Sequence, residues 1–329
     1  ASAVTYDVSR GDKASAVVIN TPLTIANGST SRIDYNMFAS GAVLNAGSLP
    51  TIPGIITIDN TYGAATAGAT PVSGFLTTGN IALATTSNAI VINAGQPLVG
   101  QYGVTLRGAT NGNTASKAIL INDNITSASG AVVLDGVAGS GYGVYYPSAT
   151  YGLSGQSVTV IGNNLGTTTI APVSIGKLNV LAGGGNLSVT GSKTTAGGAA
   201  GIIQNGTITS LSNGGSLFFS SNNVITQNGA ISVTANTSGH AAEVTYDTTA
   251  GNKLSVINPG VIAFTAGSTS DIHYKNLASG AEIIVNSALN VPGSIFLDNT
   301  WLNGASGGIT AANASTYGTS VNGLLVSTS

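Results

Sequence analysis

A stretch of 35 residues in this 329-residue chain returns far downstream in recognisable form. Gly28–Ala42 (GSTSRIDYNMFASGA) recurs as Gly267–Ala281 (GSTSDIHYKNLASGA). The match continues without a gap to PGIITIDNTY (Pro53–Tyr62) and PGSIFLDNTW (Pro292–Trp301), with 17 of 35 positions identical. Upstream of both, Val4-Thr5-Tyr6-Asp7 recurs as Val244-Thr245-Tyr246-Asp247. A fainter echo relates Ile125–Leu134 to Ile225–Val233. Self-similarity at a fixed offset marks chains built by stacking units, each too small to bury its apolar face alone. Offsets of about 240 and about 100 share a divisor of 20, which predicts about 20 residues per coil. Roughly 16 such coils would make a rod on the order of 80 Å long.

The local pattern fits stacked strands. Short runs such as Ala118-Ile-Leu-Ile-Asn122, Val158-Thr-Val-Ile161 and Leu187-Ser-Val-Thr190 alternate, are rich in β-branched residues, and end in Gly, Asn, Ser or Thr clusters. No segment carries a sustained i, i+3, i+4, i+7 stripe, so essentially no helix is expected. Asp59-Asn60-Thr61 and Asp298-Asn299-Thr300 are expected to close strands at equivalent corners, since Asn and Asp bond to their own turns. The fold class that follows is all-β: a parallel β-helix (β-solenoid), continuous over 1–329. Long copies occupy 4–87 and 244–329, shorter coils fill 88–243, and a loop protrudes at 139–155. A string of β-sandwiches is the competing architecture, although one Trp in 329 residues suits it poorly.

Composition explains why coils would suit this chain. Hydrophobic residues make up 42% and aromatics only 5%, so the core must be a narrow bore of Val, Ile, Leu and Ala. Charged residues are 6%, against about 25% in ordinary domains. Like charges stacked about 4.8 Å apart would repel, whereas Ser, Thr and Asn can bond from coil to coil. Nine Lys and Arg in no cluster give no footprint for nucleic acid. No window approaches 18 consecutive apolar residues, so no spanning helix and no membrane insertion are expected. The absence of Cys removes disulfides, thiol nucleophiles and Cys-based zinc sites. No capping element is legible at Ala1 or Ser329, so the chain is expected to continue, or to meet neighbouring copies end to end.

The runs Ile121–Gly136 (INDNITSASGAVVLDG), Gly184–Ser192 (GGNLSVTGS) and Ser221–Ala235 (SNNVITQNGAISVTA) resemble filamentous-haemagglutinin-type repeats. These belong to exoproteins of two-partner secretion systems in Gram-negative bacteria, and similar coils occur in autotransporter passengers. The resemblance implies a right-handed parallel β-helix displayed at the cell surface, with roles in adhesion, aggregation and biofilm building.

Residues that could carry chemistry are few. His240 and His273 are the only histidines, and neither lies near a G-x-S-x-G elbow. The eleven acids are scattered, and stacking is expected to bring Asp34 near Asp7 or Asp59, where a carboxylate pair or calcium site would have to form. Tyr62 and Trp301 occupy the same place in the two long copies and are candidate surface aromatics. Tyr142, Tyr145, Tyr146 and Tyr151 crowd into GSGYGVYYPSATYG and are the candidate contact loop. No catalytic residue, cofactor or metal is assigned. The expected function is a non-enzymatic, extracellular structural or adhesive protein, a segment of a bacterial surface adhesin or fibre. Its expected partners are copies of itself, end to end or side by side, and a host or matrix glycan or protein. A self-assembling filament subunit and a carbohydrate-active β-helix enzyme are the alternatives.

Overall fold

The computed structural model describes residues 97–264 apart from 111–113, 183–184, 212–214, 234–242 and 253. It also describes residues 88, 90–92 and 94–95, and outside these the strands. The chain winds as a parallel β-solenoid. From Gly103 to Phe264 each coil visits three sheets in turn, and every pairing between described strands is parallel; Leu289–Val291 and Tyr317–Thr319 pair as a separate two-stranded sheet. Sheet A holds twelve strands from Ala3–Asp7 to Gly323–Thr328; sheet B holds twelve from Ala16–Ile19 to Ile309–Ala311; sheet C holds eight from Thr51–Ile52 to Ile262–Phe264. The strands described are short, and none of the described residues is helical.

Register lines one residue type over itself. In sheet A, Val104, Val132, Val158, Leu187, Leu217 and Val244 form one inward column. Sheet B contributes Ile90, Ile119, Val144, Val173, Ile202, Ile225 and Ile257, and sheet C contributes Leu98, Ile125, Leu153, Leu178, Ile208, Ile231 and Ile262. All of these are buried. Alternation along each strand makes this possible: Ala131–Ala138 and Ser157–Asn164 bury every second residue over eight positions. The three columns fill the bore from three sides. Backbone groups pair with the coils before and after, so each added coil buries an aliphatic layer with no unpaired strand inside the stack.

The coil is longer than expected. Successive turns lie about 28 residues apart rather than 20. Three strands and three corners need that many residues, and the coils are also unequal. Ile33 pairs with Ile56, 23 residues on (56 − 33), whereas Ile56 pairs with Val104, 48 residues on (104 − 56). The long step carries two sheet B strands, Leu76–Thr78 and Ile90–Ile92, between one pass through sheet A and the next. Val4 and Val244 are therefore separated by eight unequal steps of sheet A, and a common divisor of the offsets has no structural meaning. Twelve stacked strands make sheet A about 50 Å long, shorter than the sequence arithmetic implies.

The long sequence repeat is a repeat of register. Ala3 pairs with Arg32 as Glu243 pairs with Asp271, and Ile33 pairs with Ile56 as Ile272 pairs with Ile295. Strands end at Asn60 and Asn299, the corners where turn residues are expected. The segment 139–155 does not protrude as a loop. Tyr142–Tyr146 is a strand of sheet B and Gly152–Gly155 a strand of sheet C, joined by a corner at 147–151. Its alternation of aromatic and aliphatic residues is strand patterning, with Val144 and Tyr146 turned into the core.

Candidate functional site

The tyrosine cluster divides between the inside and the outside of sheet B. Tyr146 is fully buried, in register with Ile175, so it is a core residue and not a contact residue. Its hydroxyl meets the backbone carbonyls of Tyr151 and Lys177 at the corner between sheets B and C. Burial raises this phenol well above its ordinary range. Tyr142 and Tyr145 lie on the outer face, half-buried, with ring centroids 4.5 Å apart and planes at 62°, an edge-to-face pair. Burial, and then the neighbouring Tyr145 phenol, push Tyr142 up from its ordinary value of 10.0. Tyr151 is half-buried at the corner and packs against the core.

Register brings two lysines to this coil. Lys117, on the coil before, pairs with Tyr142 and holds its ammonium 5.3 Å from the Tyr145 ring centroid. That ammonium also donates to the carbonyl of Ala115 at 2.7 Å. Lys177, on the coil after, pairs with Gly152, and its aliphatic stem passes close to that glycine. Leu120 and Val91 continue the Tyr145 column along the outer face, and both are half-buried.

Tyr62 and Trp301 lie outside the described residues, as does His240. His273 stands in register between Thr245 and Phe296. Asp34 is not stacked on Asp7 or Asp59: its partners are Thr5 and Thr57, while Asp7 and Asp59 flank Asn36. Five of the eleven acids, Asp7, Asp59, Asp135, Asp247 and Asp298, instead share one column of sheet A with two cations among them. Arg107 is in register with Asp59 on one side and Asp135 on the other, and Lys275 with Asp247 and Asp298. Arg107 and Asp135, opposite in charge and so placed, support the pairing of their strands. Glu243 is in register with Asp271. Among the described residues no group of three or more His, Asp or Glu side chains could hold a metal ion. Nor is any helix there long and apolar enough to cross a membrane.

Several buried polar groups escape a reading by strand alternation. Asn164 and Lys193 are register partners at the end of sheet A, 0% and 6% exposed. Lys193 donates to the carbonyls of Thr168 and Ile170, and Asn164 to those of Gly141 and Ile170, so the next coil closes the 165–172 corner. Burial lowers the Lys193 pKa from 10.5. Gln204 and Gln227 instead close their own B–C corners, donating to the carbonyls of Gly206 and Gly229 two residues on, and Tyr246 donates to Gln227 from sheet A. A polar residue at an inward strand position just before a Gly-containing corner was the available signal. No family model, no curated protein and no solved structure matches the chain.

Proposed function

We propose that this chain is a segment of a non-enzymatic, extracellular structural or adhesive protein, a β-solenoid stretch of a bacterial surface adhesin or fibre. The carrying observation is the unbroken pairing of twelve strands in each of two sheets, which makes the backbone a single stiff element. A nearly uncharged exterior of Ser, Thr and Asn suits a rod that works by extension and contact, since stacked like charges would loosen it. Display at the cell surface, in association with the outer membrane, and a part in aggregation or biofilm belong to the same reading, which draws on the haemagglutinin-type resemblance. Its mechanism is mechanical: a hydrogen-bonded rod holds side chains of one face at fixed spacing.

Electron micrographs of native material, with the mass of the native chain on a denaturing gel, test the proposal. Thin rods at the cell surface are expected. Steady product release from a panel of pectins, alginates or glycosaminoglycans, with or without calcium, would replace it with a carbohydrate-active enzyme.

A further inference from the structure

We infer that the outer face of sheet B around Lys117, Tyr142 and Tyr145 is a binding surface for an acidic polysaccharide, a chain of uronate sugars. The inference rests on the adhesive reading and gives it a ligand class. Strands of this coil are paired on both sides, Tyr142–Tyr146 with Lys117–Ile121 and Val173–Ile175, and Gly152–Gly155 with Ile125–Thr126 and Lys177–Val180. No strand edge is free there to receive a peptide by sheet extension. What the face offers is an edge-to-face tyrosine pair that can meet the C–H face of a pyranose, with phenol hydroxyls beside it for sugar hydroxyls.

Charge selects the sugar. Residues 88–242 carry Arg107, Lys117, Lys177 and Lys193 against only Asp123 and Asp135, whereas the chain as a whole is net −2. Lys193 and Asp123 are buried, which leaves Lys117 as the lysine beside the tyrosine pair, with Lys177 on sheet C of the coil after. Lys117 already leans over Tyr145 and spends one N–H on Ala115, so two remain for a carboxylate. A neutral glucan would use the aromatic pair and leave the Lys117 ammonium without a ligand partner.

Affinity electrophoresis of the full chain through polygalacturonate without calcium, and through neutral dextran, tests the inference. Retardation by polygalacturonate alone is expected, weakening as salt rises. Tyr145→Ala and Lys117→Gln should each cut the affinity by about tenfold, and Lys117→Arg should restore most of it. Should Tyr145→Ala fail to fold, Lys117→Gln, on the exterior, decides the matter. Equal retardation by dextran, no retardation, or unchanged binding by the folded variants would overturn it. So would Lys117-dependent self-association in light scattering without polygalacturonate binding, which would assign the face to a second copy. Rods in micrographs with no retention would sink this inference alone; rods with product release would sink only the non-enzymatic reading.

Discussion

The central coils and the repeated blocks differ most at one end of sheet A. Central strands Gly103–Thr110, Ala131–Ala138 and Ser157–Asn164 run eight residues, whereas Glu243–Asp247 and Asp271–Lys275 stop at five. The long strands pass through a column of glycines in register: Gly108, Gly136, Gly162 and Gly191. A Cβ at Gly136 would stand 2.0 Å from the Gly143 carbonyl oxygen, and one at Gly162 2.5 Å from that of Pro172. Backbone of sheet B therefore presses directly on sheet A there, and only glycine leaves room for the strand to continue. The first repeated block carries Asn60 in the position of Gly108. In the second, the strand ends in a turn: the Asp247 carboxylate accepts from the Thr249 N–H at 2.8 Å and from its hydroxyl at 2.6 Å. One fold thus uses two corners, one tight and permitted by glycine, the other stopped by a carboxylate.

Filling the glycine column should break that contrast most severely. Gly136→Val is expected to cost more than about 4 kcal/mol or to prevent folding. Gly185→Ala, whose Cβ would meet nothing nearer than 3.8 Å, should be within about 0.5 kcal/mol of the parent in urea titration. The buried phenols come next. Tyr146→Phe in the central coils strips hydrogen bonds from corner carbonyls, and Tyr246→Phe in the repeated block takes the phenol donor from the Gln227 Oε1. Each should lose about 1–3 kcal/mol. Tyr246 also stacks on Phe219 at 5.1 Å, which Tyr246→Phe should retain and Tyr246→Ala should not.

Alkaline pH sharpens the comparison. The fold holds Tyr146 protonated beyond its ordinary value of 10.0, so its contribution is complete below pH 10 and falls as pH rises further. Tyr146→Phe should remove that loss from the stability–pH profile. Removing the turn carboxylate, Asp247→Ala, should cost about 1 kcal/mol and loosen 247–250 in hydrogen exchange without touching the central coils. The smallest effect belongs to Lys193. Its pKa is lowered in the fold, so the unfolded chain binds the proton more tightly and stability rises as pH climbs toward 10.5. Lys193→Met should flatten that rise and leave the profile on the acid side unchanged.

Strand existence was legible because it is written locally. Alternation in Val158-Thr-Val-Ile161 and the Gly and Asn punctuation after such runs depend only on neighbours in the chain. The paired long copies also announced that stacking units repeat, and their register does. The coil length was not legible, because it depends on how many corners close a turn, and those corners range from the single residue Gly176 upward without changing the strand pattern. Tyr146 shows the same limit at the candidate surface. Four tyrosines beside Pro147 look like a loop until Val144 and Tyr146 are seen facing the bore, with Tyr142 and Tyr145 left outside.

The amino-acid sequence alone settled the all-β class, the scarcity of charge and, among the described residues, the aliphatic core, because periodicity and composition act over a few residues. Tertiary structure alone decided which residues share a column, since that requires the lengths of every intervening corner. Lys117 beside Tyr142 and Arg107 between Asp59 and Asp135 are neighbours only after a full circuit of the solenoid.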